Sequence, residues 1–263
     1  MTASSQTEQW SSRAGFLLAA VGFSVGLGNI WRFPYVMGEN GGSAFLIIYL
    51  LCAFVIALPL LVSEFAIGRQ GRGSPVGSMV AVAREAGLSS RWGIVGGLAV
   101  FCVFLVMTYY TVIAGWTLDY FLLSVRGAFV GISSDQSHDM FAGLTGNPVR
   151  LLFWHTIVNI LVVLVLRHGV QSGIERAVRF LMPALLVCLV IMALYALVAG
   201  DMKQTAKFLL EPDFSKVTVK TVMIAVGQAF FSIGIGMASL ITFGSYLSKE
   251  VSIPGSASVI IVA

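Results

Sequence analysis

Six stretches of mostly apolar residues, 14–33, 44–67, 94–125, 149–166, 180–199 and 217–247, dominate the chain. Crossing ~30 Å of hydrocarbon takes about 20 helical residues, and each run comes close to or passes that length. Lipid offers no hydrogen bonds, so a spanning backbone must satisfy itself as a helix or a closed barrel, and runs this long select helices. Composition agrees: 57% of the 263 residues are hydrophobic and 11% are charged, against roughly 25% charged in soluble domains. A seventh run begins near Ile253 and the sequence ends inside it at Ala263. These features predict an all-α, multi-pass membrane protein.

Other classes are disfavoured. The opening "MTASSQTEQWSSR" is polar and lacks the charged, apolar and small-residue pattern of a cleaved signal. Cys52, Cys102 and Cys188 all fall in apolar runs and read as packing residues. The net charge of +4 is spread over both sides of the membrane and is no nucleic-acid signal. A weak positive-inside bias, strongest in the loop after the second run with Arg69, Arg72, Arg84 and Arg91, predicts a cytoplasmic N-terminus. His138, His155 and His168 are scattered near the membrane edges, and no nucleophile–base pair or metal cluster suggests an enzyme.

The stretch "RGAFVGISSDQSHDMFAGLTGNP" is expected to be a loop, and "AKFLL", within "GDMKQTAKFLLEPDFSKVTVK", a short interfacial helix. Glu64 lies near the end of the second run. A carboxylate there is either interfacial, close to Arg69, or held in the span for a function, and the sequence leaves both open.

The first and sixth runs are poorly made for straight helices. "GFSVGLGNIWRFP" carries Gly22, Gly26, Gly28, Asn29, Arg32 and a proline. Each helical glycine costs about 1 kcal/mol against alanine, and a mid-membrane arginine roughly 2.5–3.5 kcal/mol. A small-xxx-small packing face accounts for Gly22 and Gly26 and leaves Gly28, Asn29 and Arg32 unexplained. The sixth run repeats the pattern, with Gly234 and Gly236 beside Gln228 and Ser232. Two glycine-interrupted spans, five apart, fit transporters in which the first helix of each half is discontinuous and its freed backbone builds the ion and substrate site.

"VGFSVGLGNIWRFPYVMGENGGSAF", "LPLLVSEFAIGRQGR", "YYTVIAGWTLDYF" and "VGQAFFSIGIG" resemble, in this order, the signatures of the neurotransmitter:sodium symporter family. The likeness runs from about Trp10 to Ala263. It implies a leucine-transporter-type fold of inverted five-helix repeats. Residues 1–12 would be a cytoplasmic tail, 13–199 the first repeat, 200–217 an outer loop, and 218–263 the start of the second repeat, with spans 1 and 6 unwound at mid-membrane.

The resemblance implies a sodium site at the Ser24 carbonyl, the Asn29 amide and the Ser232 hydroxyl, and a second sodium site that draws on carbonyls of Gly22 and Val25. The substrate would meet the N–H groups of Leu27 and Gly28, the Tyr110 hydroxyl, and carbonyls near Phe23, Phe231 and Ser232. Gly26 stands where monoamine carriers have an aspartate, which implies a substrate with its own carboxylate, an amino acid. Val106, Gly234 and Met237 would line a side-chain pocket with room for an apolar or aromatic group. Tyr110 and Phe231 would form an aromatic lid, Arg32 and Gln228 an outer gate, and Tyr49, Gln228 and Ser232 a chloride site whose use the sequence leaves open.

Two departures stand out. Thr7 occupies the position of a gating arginine, and the chain stops short of helices that complete both sodium sites, so it reads as the N-terminal part of a longer transporter. Sodium-coupled amino-acid symport by alternating access is the expected function, with no cofactor besides the coupling ion. A non-transporting membrane module that pairs with itself or with a full-length homologue, and a pore, are the alternatives.

Overall fold

The computed structural model describes residues 9–26 and 28–263, which form helices without strands. In chain order these are α1 (Arg13–Ser24), α2 (Gly28–Glu39), α3 (Ser43–Gly71), α4 (Pro75–Glu85), α5 (Gly93–Val125), α6 (Ser134–Thr145), α7 (Pro148–Leu166), α8 (Val170–Ala199), α9 (Met202–Leu210), α10 (Val219–Ile233), α11 (Ser239–Ser245) and α12 (Ile253–Val262). α3, α5, α7 and α8 are each long and apolar enough to cross a membrane, and α1 with α2 forms a broken span. The sixth run is likewise divided, into α10 and α11. Two segments expected as loops contain helices. Ser74 and Pro75 start α4, with the Gly77 N–H donating to the Ser74 hydroxyl. Ser133 and Gln136 form a reciprocal capping box on α6. The "AKFLL" helix extends over all of α9. In the loop after it, hydrogen bonds from Ser215 and then from Lys216 hold the Asp213 carboxyl below the usual carboxylate range.

The chain divides into two compact units, residues 1–100 with 170–263, and residues 101–169. In the first unit, α1, α3, α10, α11 and α12 enclose Phe16, Phe45, Leu61, Phe65, Leu240 and Leu247, all buried. α3 packs on α10 with its first half and on α11 with its second, a π-helical turn at Ala53–Ala57 lying between. The second contact is a backbone-to-backbone approach. A Cβ on Gly68 would run into the Ile241 carbonyl, and one on Gly244 would lie 2.6 Å from the Phe65 carbonyl oxygen. Small residues let helices meet this closely in lipid, where dispersion replaces the hydrophobic drive.

Beneath α11 the N-terminal segment is strapped to the same unit. The Trp10 ring is buried edge-on against Phe243, and its indole N–H donates to the Phe243 carbonyl at 3.1 Å. Ser11 donates its N–H at 3.1 Å, and its hydroxyl as well, to the buried Glu175 carboxylate, which also accepts from Arg179 at 3.0 Å. The Glu175 carboxylate fills the space a side chain on Gly15 would need.

The second unit holds most of α5 together with α6 and α7. Asp119, 4% exposed, accepts from Arg150 Nε at 2.9 Å and Nη2 at 2.8 Å, and from the Trp154 indole at 2.6 Å. The two-pronged guanidinium contact fixes both distance and angle between α5 and α7. Farther along the same pair, the Thr111 hydroxyl meets His155 Nδ1 at 3.1 Å.

Gly244→Ala is expected to lower stability by about 1–3 kcal/mol, the cost of overpacking where backbone rather than a movable side chain stands in the way. Gly97→Ala, where a Cβ meets open space, serves as control. Thermal unfolding in detergent checks it, and an equal midpoint for the two variants would contradict the α3–α11 approach.

Candidate functional site

The two helix breaks release backbone groups in a definite pattern. α1 ends because the Val25 N–H closes the last helical bond to Val21 at 2.7 Å, while the Gly26 N–H turns back to the Ser24 carbonyl at 2.9 Å. Val25, at φ −81° and ψ 71°, is the centre of that inverse γ-turn. The Gly22 carbonyl thereby loses the N–H that a continuing helix would supply. In the sixth span the Gly234 and Ile235 N–H groups both return to the Phe230 carbonyl, at 2.9 and 3.1 Å. The Gly236 N–H leaves the helix altogether and donates to Glu64 Oε1 at 2.8 Å. The carbonyls of Phe231 and Ser232 are therefore off the helical ladder. Left-handed backbone at Gly234 (φ 79°), Gly236 (φ 78°) and Ala238 (φ 60°) makes the turn. The first two positions suit glycine, and Ala238 bears a strain of about 1–2 kcal/mol.

Between the breaks, one chain of hydrogen bonds joins the neutral polar groups. Gln228 Nε2 donates to Ser232 Oγ at 3.2 Å, Ser232 Oγ to Asn29 Oδ1 at 2.6 Å, and Asn29 Nδ2 to the Ser24 carbonyl at 2.8 Å. Ser24, Gln228 and Ser232 are buried. The three oxygens expected around the first sodium ion, from Ser24, Asn29 and Ser232, thus stand together. They are uncharged, hard donors, a set suited to a monovalent alkali cation and not to a soft metal.

The remaining expected residues fall into groups. Phe231 lies across Gly28 so closely that a Cβ there would overlap the ring, and the Arg32 guanidinium sits 5.0 Å above the same ring. Gln228 turns to Ser232, so the two expected gate residues have separate partners, and Gln228 Oε1 is buried without one among the described residues. Phe23 fills the space a side chain on Gly234 would take, so the room anticipated there for a substrate group holds an aromatic ring. The Gly26 carbonyl accepts from the N–H groups of Asn29 and Ile30, and the Met237 carbonyl from Ser239. Gly22 packs on Met182 of α8. Tyr49, on α3, meets the Phe33 ring at a tilt of 58°, with 4.7 Å between centroids. Val106 and Tyr110 lie on α5 in the second unit. Leu27 and Thr7 lie outside the described residues.

Glu64, left open by the sequence, belongs to the break. Its Oε1 caps the Gly236 N–H while its Oε2 is buried without a partner among the described residues. Only the three-dimensional pairing of α3 with the sixth span reveals this.

Two spans broken at matching places, with freed carbonyls and neutral side-chain oxygens gathered between them, define a membrane protein of the secondary-transporter class. The profile of the Sodium:neurotransmitter symporter family matches residues 7–139 and 145–263, and the chain belongs to that family. Its relatives include the sodium-dependent transporter YhdH of Bacillus subtilis, 39% identical over 254 residues, 97% of this chain and 55% of the relative. The sodium-dependent neutral amino acid transporter B(0)AT2 of Mus musculus is 30% identical over 272 residues, covering 92% and 36%. The crystal structure of MhsT in complex with L-phenylalanine matches with a TM-score of 0.88 at 41% identity, covering 97% of this chain and 57% of that one. The fold is of the leucine-transporter type, and these relatives are transporters, not enzymes. The chain spans about half the length of the first two bacterial relatives it matches, at 55% and 56%.

Glu64→Ala is expected to cost about 1–3 kcal/mol by stranding the Gly236 N–H, and Glu64→Gln, which keeps an acceptor, to recover most of that. Thermal unfolding separates the two. An equal loss in both variants would show that the Gly236 contact is not what Glu64 contributes.

Proposed function

We propose that this chain is part of a sodium-coupled symporter for a neutral, apolar or aromatic amino acid, working by alternating access. The observation that carries the reading is the hydrogen-bonded row from Gln228 through Ser232 and Asn29 to the Ser24 carbonyl, set between two helix breaks. A sodium ion entering there exchanges its water for the Asn29 amide oxygen, the Ser232 hydroxyl oxygen and the Ser24 carbonyl, and the donors that joined them reorient. Carbonyls of Gly22 and Val25 contribute to a second ion.

The substrate carboxylate occupies the space left by the missing side chain of Gly26, beside the first sodium, and the resemblance to the family assigns Leu27, Gly28 and Tyr110 to it as donors. Carbonyls of Phe23, Phe231 and Ser232 take the ammonium, and Val106, Gly234 and Met237 are assigned to the side chain, with the Phe23 ring lying over Gly234. On the same reading Tyr110 and Phe231 are assigned to an aromatic lid, and Arg32 and Gln228 to an outer gate. Chloride, if it participates, has Tyr49, Gln228 and Ser232. The names of two relatives support the substrate class: one is a neutral amino acid transporter and the other was crystallised with L-phenylalanine. The reading places the N-terminus in the cytoplasm, residues 13–199 in the first repeat, and 218–263 in the second.

Coupling is thermodynamic: an ion and a substrate that share a conformation raise each other's affinity by the same factor. Phenylalanine binding by the reconstituted protein is expected in sodium and not in potassium, and equal binding in both salts overturns the proposal. Asn29→Ala removes one charge-facing ligand worth about 1.5–3 kcal/mol, so half-maximal binding is expected to need roughly ten times more sodium or beyond. Gly26→Asp is expected to weaken phenylalanine binding by setting one carboxylate against another, and unchanged affinity would detach Gly26 from the site.

A further inference from the structure

The helix α9 contains no buried residue, although it joins two membrane-spanning segments. At 100° per residue, Met202, Ala206, Leu209 and Leu210 share a sector of roughly 100°, with Gln204 and Lys207 outside it. Met202, Leu209 and Leu210 are 45%, 43% and 77% exposed. On the opposite side Gln204, Lys207 and the aromatic Phe208 border an open cleft of about 700 Å³ shared with Glu39, Glu211 and Lys220. Lys203 stands at the edge of the apolar sector beside Leu210, where a long basic side chain reaches water from an apolar face.

Its place in the chain says which medium meets the apolar side. α8 is apolar and outward-facing to its last turn, with Tyr195 72% and Val198 89% exposed. Only Gly200 and Asp201 separate its end from α9, and the Asp201 carboxylate caps the new helix at the Gln204 N–H. α9 therefore starts at the level where an apolar span of membrane-crossing length ends. It is fixed to the protein through Phe208. A Cβ on Gly42 would lie 3.1 Å from that ring and 3.3 Å from the Phe208 carbonyl oxygen, and the left-handed Gly42 backbone (φ 60°) forms the turn between α2 and α3.

We propose that α9 docks into the lipid interface, with Met202, Leu209 and Leu210 among the upper acyl carbons and Gln204 and Lys207 turned to the water-filled cleft. The lipid surface is thereby linked, through Phe208 and Gly42, to the half-helix that carries Gly28 and Arg32. A short helix with segregated faces and basic residues on its polar side is the form that lies in this layer.

Nitroxide labels test it in the full chain, reconstituted in phosphatidylcholine–phosphatidylglycerol liposomes with Cys52, Cys102 and Cys188 replaced by alanine. Labels at Leu210→Cys and Met202→Cys are expected to collide severalfold more with oxygen, and severalfold less with a water-soluble nickel chelate, than a label at Gln204→Cys. Nickel access at Leu210 equal to that at Gln204 places the face in water and overturns the proposal. Shielding from both reagents means that protein, from a second copy or another segment, covers the face, and overturns it equally. Disagreement between Leu210 and Met202 denies a common lipid-facing sector and has the same consequence.

Discussion

A backbone N–H or C=O surrounded by lipid has nowhere to send its hydrogen bond, and each one stranded costs several kcal/mol. Any chain that interrupts a helix at that depth must supply substitutes nearby. The two breaks here do so from different sources. The Ser24 carbonyl accepts from Gly26 and from the Asn29 side chain, and the Gly236 N–H is met by Glu64 from another helix. Glycine at 234 and 236 provides the left-handed turns. Among the described residues, what leaves the helical ladder at the breaks is mostly acceptor: the carbonyls of Gly22, Phe231 and Ser232. An excess of carbonyl oxygen in a dry place is an invitation to a cation, so the same constraint that makes the breaks expensive also makes them selective.

The polar row between the breaks is balanced in a second way. It contains no charge, so it can exist in lipid without the desolvation that a buried carboxylate would impose. Gly26, with no side chain, adds neither charge nor bulk beside that row.

Much of this was legible in the residues. The apolar runs at 44–67, 94–125, 149–166 and 180–199 each correspond to a helix long and apolar enough to cross a membrane, and Gly26, Gly28, Gly234 and Gly236 mark both breaks. Asn29 and Ser232, polar where apolarity is expected, mark the row of hydrogen bonds between the breaks. Other features needed three dimensions. α6 begins at Ser133 with Gln136 three residues on, a capping box written in the sequence but hidden in a stretch rich in loop residues. Glu64 and Glu175 owe their roles to partners 172 and 164 positions away, a separation no local pattern encodes. Gly234 shows the limit most clearly: its missing side chain reads as an opening, and only the fold reveals that Phe23 occupies it. The Asp119–Arg150–Trp154 clasp in the second unit was equally invisible, because each residue alone reads as a membrane-edge polar group.

The π-helical turn at Ala53–Ala57 has a mechanical consequence. It adds one residue to the winding of α3 at the point where its packing partner changes from α10 to α11. Pro59, just beyond, has no N–H to hold the turn closed from below. Tightening this coil to ordinary α pitch would swivel the lower part of α3 by about 100° and advance it about 1.5 Å relative to the upper part. Because Gly68 is meshed with Ile241, that swivel would be geared to the short segment below the sixth-span break. The bulge is thus a slack joint, set level with the discontinuity beside it, that lets one continuous rod follow a partner that comes in two pieces.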